Sequence, residues 1–248
     1  MSLLSASASL PVRIYVAPLQ LHAGELAIRG DEHHYLGRVR RARVGDTVEL
    51  IDGAGRRAAA HIVRISDIET IVDACEPEPV IELAPRVCAL IPWIKGDRMD
   101  QCIEKLVEVG CDEVVIWPAA RAVVQLAGDR LGTRVGKLRA AALAAARQCG
   151  RAAVPEVAAV ASLGAAIGNL SIAGARYVLD PASTARLALS EAPSHVAIAS
   201  GPEGGLAPAE LDALLAAGFA SLGLGPRTLR AETAPVIAVA LVRAATAT

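Results

Sequence analysis

Apolar positions in the first third of the chain come in short runs separated by turn formers: Arg13-Ile-Tyr-Val16, Thr47-Val-Glu-Leu-Ile51, Ala58-Ala-Ala-His-Ile-Val63 and Thr70-Ile-Val-Asp73. Runs of that length and patterning predict strands. Asp52-Gly53-Ala-Gly55 predicts a hairpin between the second and third, because Asp-Gly tolerates the positive φ angles of tight turns. The expectation for residues 12–79 is a small β-barrel. Glu76-Pro77-Glu-Pro79 marks the boundary, since proline fixes φ and removes a ladder donor.

From residue 80 to 248 the rhythm becomes strand and helix in alternation, which predicts an α/β domain with a mostly parallel sheet covered by helices. Val87 to Pro92 is a buried-strand candidate. Asp97 to Val109 predicts a helix with Met99, Ile103, Leu106 and Val107 on one face and Gly110 as its stop. Strands are expected over Val114 to Trp117, Tyr177 to Leu179, His195 to Ala199 and Ala220 to Leu224. Helices are expected from about Val135 to Gln148, from Ala207 to near Gly218, and from Ala231 to about Ala245.

Fifty-three per cent hydrophobic residues in 248 are ample for a packed core. No apolar stretch approaches the roughly 20 residues needed to span a bilayer. Met1 to Pro11 lacks a basic region before its scattered apolar residues, so it reads as a disordered extension rather than a signal peptide. The five cysteines form no C-x-x-C pair and the five histidines have no ligand spacing; no metal is expected, and the cysteine usage suits a reducing cytoplasm.

Net charge is −1, yet between Ala119 and Pro155 seven cations (Arg121, Arg130, Arg134, Lys137, Arg139, Arg147, Arg151) face Asp129 alone. A second cluster is Arg38, Arg40, Arg41 and Arg43. Such patches are the footprint of a protein that meets phosphates, although 22 arginines against 3 lysines also fit a compositional bias. Six aromatics in the whole chain argue against base-stacking platforms.

Two glycine-bearing turns carry the chemistry. Gly201-Pro-Glu-Gly-Gly205 follows a strand-like run and precedes a helix-like one, and so does Leu222-Gly-Leu-Gly-Pro-Arg-Thr-Leu-Arg-Ala-Glu-Thr233. Both can bring bare backbone amides to a ligand. Neither has the lysine of a Walker A loop nor the third glycine of a dinucleotide fingerprint. Arg227, Arg230, Glu232 and Thr233 crowd the second turn, a polar concentration that costs stability between apolar elements unless it is exposed or functional.

The set Lys95-Gly-Asp-Arg-Met99, Glu104-Lys-Leu-Val-Glu-Val-Gly110, Gln148-Cys-Gly-Arg151 with Val154-Pro155, and the two glycine turns resembles the RsmE family. These are SPOUT-class methyltransferases of N3 of one uridine in small-subunit (16S) ribosomal RNA. His33-His-Tyr-Leu-Gly-Arg-Val-Arg-Arg41 and Gly45-Asp46 to Gly53 are similar to that family's N-terminal PUA-like barrel. The chain departs from the pattern at Lys137-Leu138 and Arg147.

The resemblance implies a trefoil-knotted SPOUT α/β domain over residues 80–248, preceded by a PUA-like β-barrel RNA-binding domain over 12–79. It also implies a homodimer that takes S-adenosylmethionine as cofactor and small-subunit ribosomal RNA, free or in the assembled subunit, as partner. Cofactor contacts would fall at Leu179, Gly201, Glu203, Gly204, Gly205, Leu222, Leu224, Gly225, Pro226, Leu229, Arg230 and Thr233. Methylating the weakly nucleophilic imide nitrogen calls for a cation at the flanking carbonyl oxygens and for removal of the N3 proton. Arg230 is the expected cation, with Glu232 or Glu203 as base or positioning group. Arg38, Arg40, Arg41, Arg121 and Arg151 are the expected RNA contacts. Two alternatives are a SPOUT methyltransferase acting on transfer RNA or another base, and a non-catalytic RNA-binding ribosome-assembly protein.

Overall fold

The computed structural model describes residues 12–124, 126, 128–170, 174–189 and 193–246; the expected N-terminal extension over residues 1–11 lies outside them. The chain forms two compact units. The first runs as far as Glu82 and adds Ala146–Val154, and the second comprises Leu83–Ala145 and Pro155–Thr248.

The first unit is one six-stranded sheet in the order β1 (Val12–Tyr15), β3 (Thr47–Ile51), β4 (Arg56–Ile65), β5 (Glu69–Ala74), β2 (Gly24–Arg29), with the two-residue β6 (Glu78–Pro79) also on β4. Only the β1–β3 pair is parallel. Alternation along the strands turns Leu26, Ile28, Val48, Leu50, Ala58, Ala60, Ile62 and Val72 into a single apolar core. Pro79 sits in the sheet rather than ending it: opposite Arg56, at the margin, a missing N–H is tolerated.

The β3–β4 turn is held by Asp52, whose side chain is fully buried. Its carboxylate accepts the N–H groups of Ala54 at 2.8 Å and Arg56 at 2.9 Å, and Nε of Arg56 at 2.7 Å. Burial alone would raise the Asp52 pKa, but the backbone and side-chain donors of Arg56, together with Ala54, hold it below its ordinary value. Gly53 takes φ +72° there, as an Asp-Gly turn requires.

After β2 comes a short helix α1 (Gly30–His34) and a π-helical turn (Tyr35–Val39), anchored by the buried Leu36. Ala146–Val154 completes this unit through polar contacts. Arg147 pairs with Glu32 at 2.7 Å, Arg151 pairs with Glu82 at 3.3 Å, and the Val154 N–H donates to the Gly53 carbonyl at 2.9 Å.

The second unit is an all-parallel sheet in the order β12 (Ala220–Leu222), β10 (Ala175–Leu179), β11 (His195–Ala199), β7 (Arg86–Pro92), β8 (Glu113–Trp117), β9 (Glu156–Ala159). The strand order reverses between β7 and β11, which makes a switch point at the carboxyl ends of the strands. Every residue of β7 after Arg86 is buried, as expected for a strand covered on both faces. Helices α2 (Arg98–Glu108) and α6 (Ala234–Thr246) pack together and α6 lies on β7 and β11; α4 (Leu163–Gly168) packs on β8 and α5 (Pro208–Ala216) on β10.

Helix α3 runs Asp129–Cys149, six residues earlier at its start than the pattern from Val135 suggested. Gly132 and Gly136 lower local propensity by about 1 kcal/mol each. Packing wins, with Val135, Leu138, Ala142 and Ala146 buried along one stripe and Arg134 paired with Asp100. Strands β2 and β9 and helix α4 were not anticipated. No helix among the described residues is long and apolar enough to cross a membrane, and no group of three or more His, Cys, Asp or Glu among them is placed to hold a metal.

Near the end of α6, Arg243 ties three segments of the second unit together. It donates to the carbonyls of Gly110 (2.6 and 2.9 Å), Leu83 (2.6 Å) and Pro85 (2.7 Å), and to the Asp112 carboxylate (2.6 Å). Arg243→Ala takes the guanidinium from the largely buried Asp112 carboxylate, which also accepts the Val87 N–H at 2.7 Å, and should cost about 3–5 kcal/mol in urea unfolding. Asp52→Asn should cost about 1–3 kcal/mol at neutral pH. Because folding depresses the Asp52 pKa, wild type holds its full advantage above the ordinary aspartate value of about 3.9. That advantage should vanish as pH falls through the lower folded value, which chemical denaturation from pH 7 to pH 2 would register as converging stabilities.

Candidate active site

Three loops leave the carboxyl ends of β10, β11 and β12 and enclose a cavity of about 500 Å³. Residues 200–206 follow β11. There the Gly205 N–H donates to the Pro202 carbonyl at 2.8 Å, closing a turn. Two side chains brace this loop from outside. Nη1 of Arg121 donates to the carbonyls of Leu206 (3.1 Å) and Gly204 (3.4 Å), and the Glu210 carboxylate accepts the N–H groups of Ala207 and Ala120, both at 2.7 Å.

The loops after β10 and β12 lie backbone to backbone. The Asp180 N–H donates to Leu222 (3.1 Å) and the Gly223 N–H to Ala185 (2.9 Å). A Cβ on Gly223 would stand 2.0 Å from the Ser183 carbonyl oxygen, so only glycine fits.

Of the expected cofactor contacts, Leu179, Gly201, Glu203, Gly205, Leu222, Leu224, Gly225, Leu229 and Arg230 line the cavity. Gly204, Pro226 and Thr233 lie in the same loops outside its lining; Gly204 packs against Arg121, and the Thr233 N–H donates to the Arg230 carbonyl at 2.9 Å. Arg98, Asp180, Ser200 and Arg227 also line it and were not anticipated as site residues. Two of them carried a signal: Arg98 lies within Lys95–Met99, and Arg227 belongs to the polar crowd after β12. Ser200 and Asp180 each follow a strand directly, which only the assembled sheet makes significant.

Arg230 and Arg227 are exposed and make no side-chain ion pair or hydrogen bond. Glu232 pairs with Arg98 rather than Arg230, at a long 3.9 Å, and its Oε2 is buried without a partner. Glu203 is exposed and leaves the capping of α5 to Glu210. Ser200 is 1% exposed, and its Oγ also has no partner. The cavity therefore combines apolar strand ends, bare main chain, three guanidinium groups and an unused hydroxyl.

The expected RNA-facing arginines divide. Arg38, Arg40 and Arg41 are exposed and unpaired on the first unit, and Arg43 beside them is also exposed. Arg121 is also exposed and braces the 200–206 loop through its Nη1. Arg151 has a side chain only 11% exposed and is paired with Glu82 at 3.3 Å within the first unit.

Main-chain loops at the carboxyl ends of parallel strands, with cations at the rim, define a ligand-binding site of the α/β class. Residues 82–243 match the model of an RNA methyltransferase domain and residues 28–74 that of an RNA methyltransferase PUA domain. The chain is 32% identical to the ribosomal RNA small subunit methyltransferase E of Mycobacterium bovis over 92% of its own length and 89% of the relative's. It is 27% identical to the Bacillus subtilis protein of that name, over 89% and 90%. A Legionella pneumophila protein solved in complex with the bound cofactor SAM superposes with TM-score 0.86 at 26% identity, over 96% of this chain and 98% of that one. The Neisseria gonorrhoeae ribosomal RNA small subunit methyltransferase E, bound to S-adenosyl methionine, has the same fold, with TM-score 0.86 at 24% identity over the same shares. The chain belongs to the RsmE family of RNA methyltransferases, with an N-terminal PUA-like domain.

Because the atoms facing Gly223 are backbone, they cannot rotate aside. Gly223→Ala should destabilise the second unit by more than about 2 kcal/mol and raise amide hydrogen exchange in 180–185 and 222–230, which mass spectrometry would localise.

Proposed function

We propose that the protein transfers a methyl group from S-adenosylmethionine to N3 of one uridine in small-subunit ribosomal RNA. The observation that carries this reading is the cavity at the ends of β10, β11 and β12, walled by main chain and edged by unpaired Arg230 and Arg227. Family membership supports the substrate class. The cofactor fits what is present: the close-packed backbone at Gly201 and Gly223 and the apolar row Leu179, Leu222 and Leu224 suit an adenosyl group, and the cations suit a carboxylate. When bound, it supplies an electrophilic methyl on a sulfonium.

The protein's own task is to position the base and manage one proton. Removing the N3 proton places negative charge on the flanking carbonyl oxygens. Arg230, free and at the cavity rim, is suited to stabilise that charge. Glu203, a carboxylate of the cavity lining, is suited to receive or orient the proton; Glu232, outside that lining but with one oxygen uncommitted beside Arg98, is the other carboxylate this reading considers. A base in duplex would have to leave its stack to reach such a pocket. Arg38, Arg40 and Arg41 supply the unpaired cations for the RNA backbone.

The knotted path belongs to this reading and is supported by the backbone packing of 180–185 against 222–223. So does a homodimer, supported by Ile237 (41% exposed) and Leu241 (43% exposed) one turn apart on α6. Action on ribosomal RNA carries with it a cytoplasmic location.

Labelled methyl from S-adenosylmethionine should enter small subunits purified from cells lacking the protein, at N3 of a single uridine, and not large subunits or bulk transfer RNA. Label confined to another RNA, or none despite cofactor binding, would refute the substrate assignment. Arg230→Ala should cut turnover by about 10²–10³-fold while leaving the unfolding midpoint in place; retained turnover removes Arg230 from the chemistry.

A further inference from the structure

We propose that the Ser200 hydroxyl is a hydrogen-bonding contact to the nucleoside half of the cofactor, a role that rests on the cofactor reading above. In the parallel register, Val178 lies opposite Ala199 and Leu179 opposite Leu222. The residue after Ala199 therefore extends a row across three strand ends: Leu222, Leu179, Ser200. All three residues line the cavity. Residues in register on parallel strands face the same side of the sheet, so Ser200 places one polar atom at the end of an otherwise aliphatic row.

That atom has no use inside the protein. Ser200 is 1% exposed, and its Oγ has no hydrogen-bond partner. Its main chain is committed, with the N–H donating to the Leu90 carbonyl at 3.0 Å, so backbone movement does not relieve the hydroxyl. Buried polar side-chain atoms nearly always have a partner, and the leucines beside it offer none. A serine hydroxyl both donates and accepts, and can therefore address ring nitrogens, an exocyclic amine or a ribose hydroxyl. The other end of the cofactor is matched elsewhere: Arg98, Arg227 and Arg230 come from α2 and the 223–233 loop and supply the positive charge that a carboxylate takes. The aliphatic row then takes the flat nucleoside, with Ser200 at its edge.

The test is calorimetric titration of S-adenosylmethionine and of methylthioadenosine, which lacks the amino-acid end, into wild type, Ser200→Ala and Ser200→Cys. Both variants should bind both ligands about three- to tenfold more weakly. Their ligand-free melting temperatures should not fall, since removing an unpartnered hydroxyl costs the apo fold nothing. Wild-type binding with unchanged affinity in both variants would overturn the role of Ser200 alone. Weakening seen with S-adenosylmethionine but not with methylthioadenosine would move the contact to the amino-acid end and overturn the assignment. Lowered ligand-free melting in both variants would make the hydroxyl part of the fold's own support and overturn it. Wild type that binds neither ligand would remove the cofactor reading, and this inference with it.

Discussion

The second unit depends on two loops lying against one another with nothing but main chain between them. At Gly223 the backbone passes so close to Ser183 that no side chain can intervene, and the N–H of Gly223 is satisfied by Ala185. This contact fixes where the chain leaves β12. It keeps Leu222 level with Leu179, and it directs residues 224–230 over the strand ends rather than into solvent. The cavity is thus a by-product of close backbone approach, and its side chains inherit their positions from it.

Charge is distributed by use. The arginines of the first unit that hold Ala146–Val154 in place are spent on carboxylates drawn from distant sequence, as with Arg147 on Glu32, where burial raises the Glu32 pKa against the pull of the guanidinium. The unpaired arginines include several on exposed turns: Arg38, Arg40, Arg41 and Arg43 in one unit, Arg227 and Arg230 in the other. An unpaired guanidinium at a surface turn costs the fold little and keeps its donors for a partner.

This explains what could be read in advance and what could not. Strands β3, β4, β5, β7 and β11 are legible because their apolar periodicity is strong, and the glycine turns are legible because their requirement is local. Strand β2 offers only Leu26 and Ile28 to the core, and β9 is half alanine, so neither has a pattern to detect. Within the cationic run from Arg121 to Arg151, the partners of Arg121, Arg134, Arg147 and Arg151 could not be read in advance, because Asp100, Glu32, Glu82 and the Leu206 carbonyl are far away in sequence. Ser200 was hidden for a similar reason, since its place beside Leu179 and Leu222 exists only once three separate strands align.

The composition of the first unit has a bearing on how the chain is made. Its sheet is complete by Pro79, yet Glu32, Gly53 and Glu82 wait for Arg147, Val154 and Arg151. During synthesis those groups cannot meet their protein partners until residue 154 has left the ribosomal tunnel, by which time β7, α2, β8 and all of α3 have also emerged. The N-terminal unit is therefore not an independent first product of translation but one that stays open while the start of its neighbour is being made. The bond from Val154 to Gly53 closes it just before β9 begins.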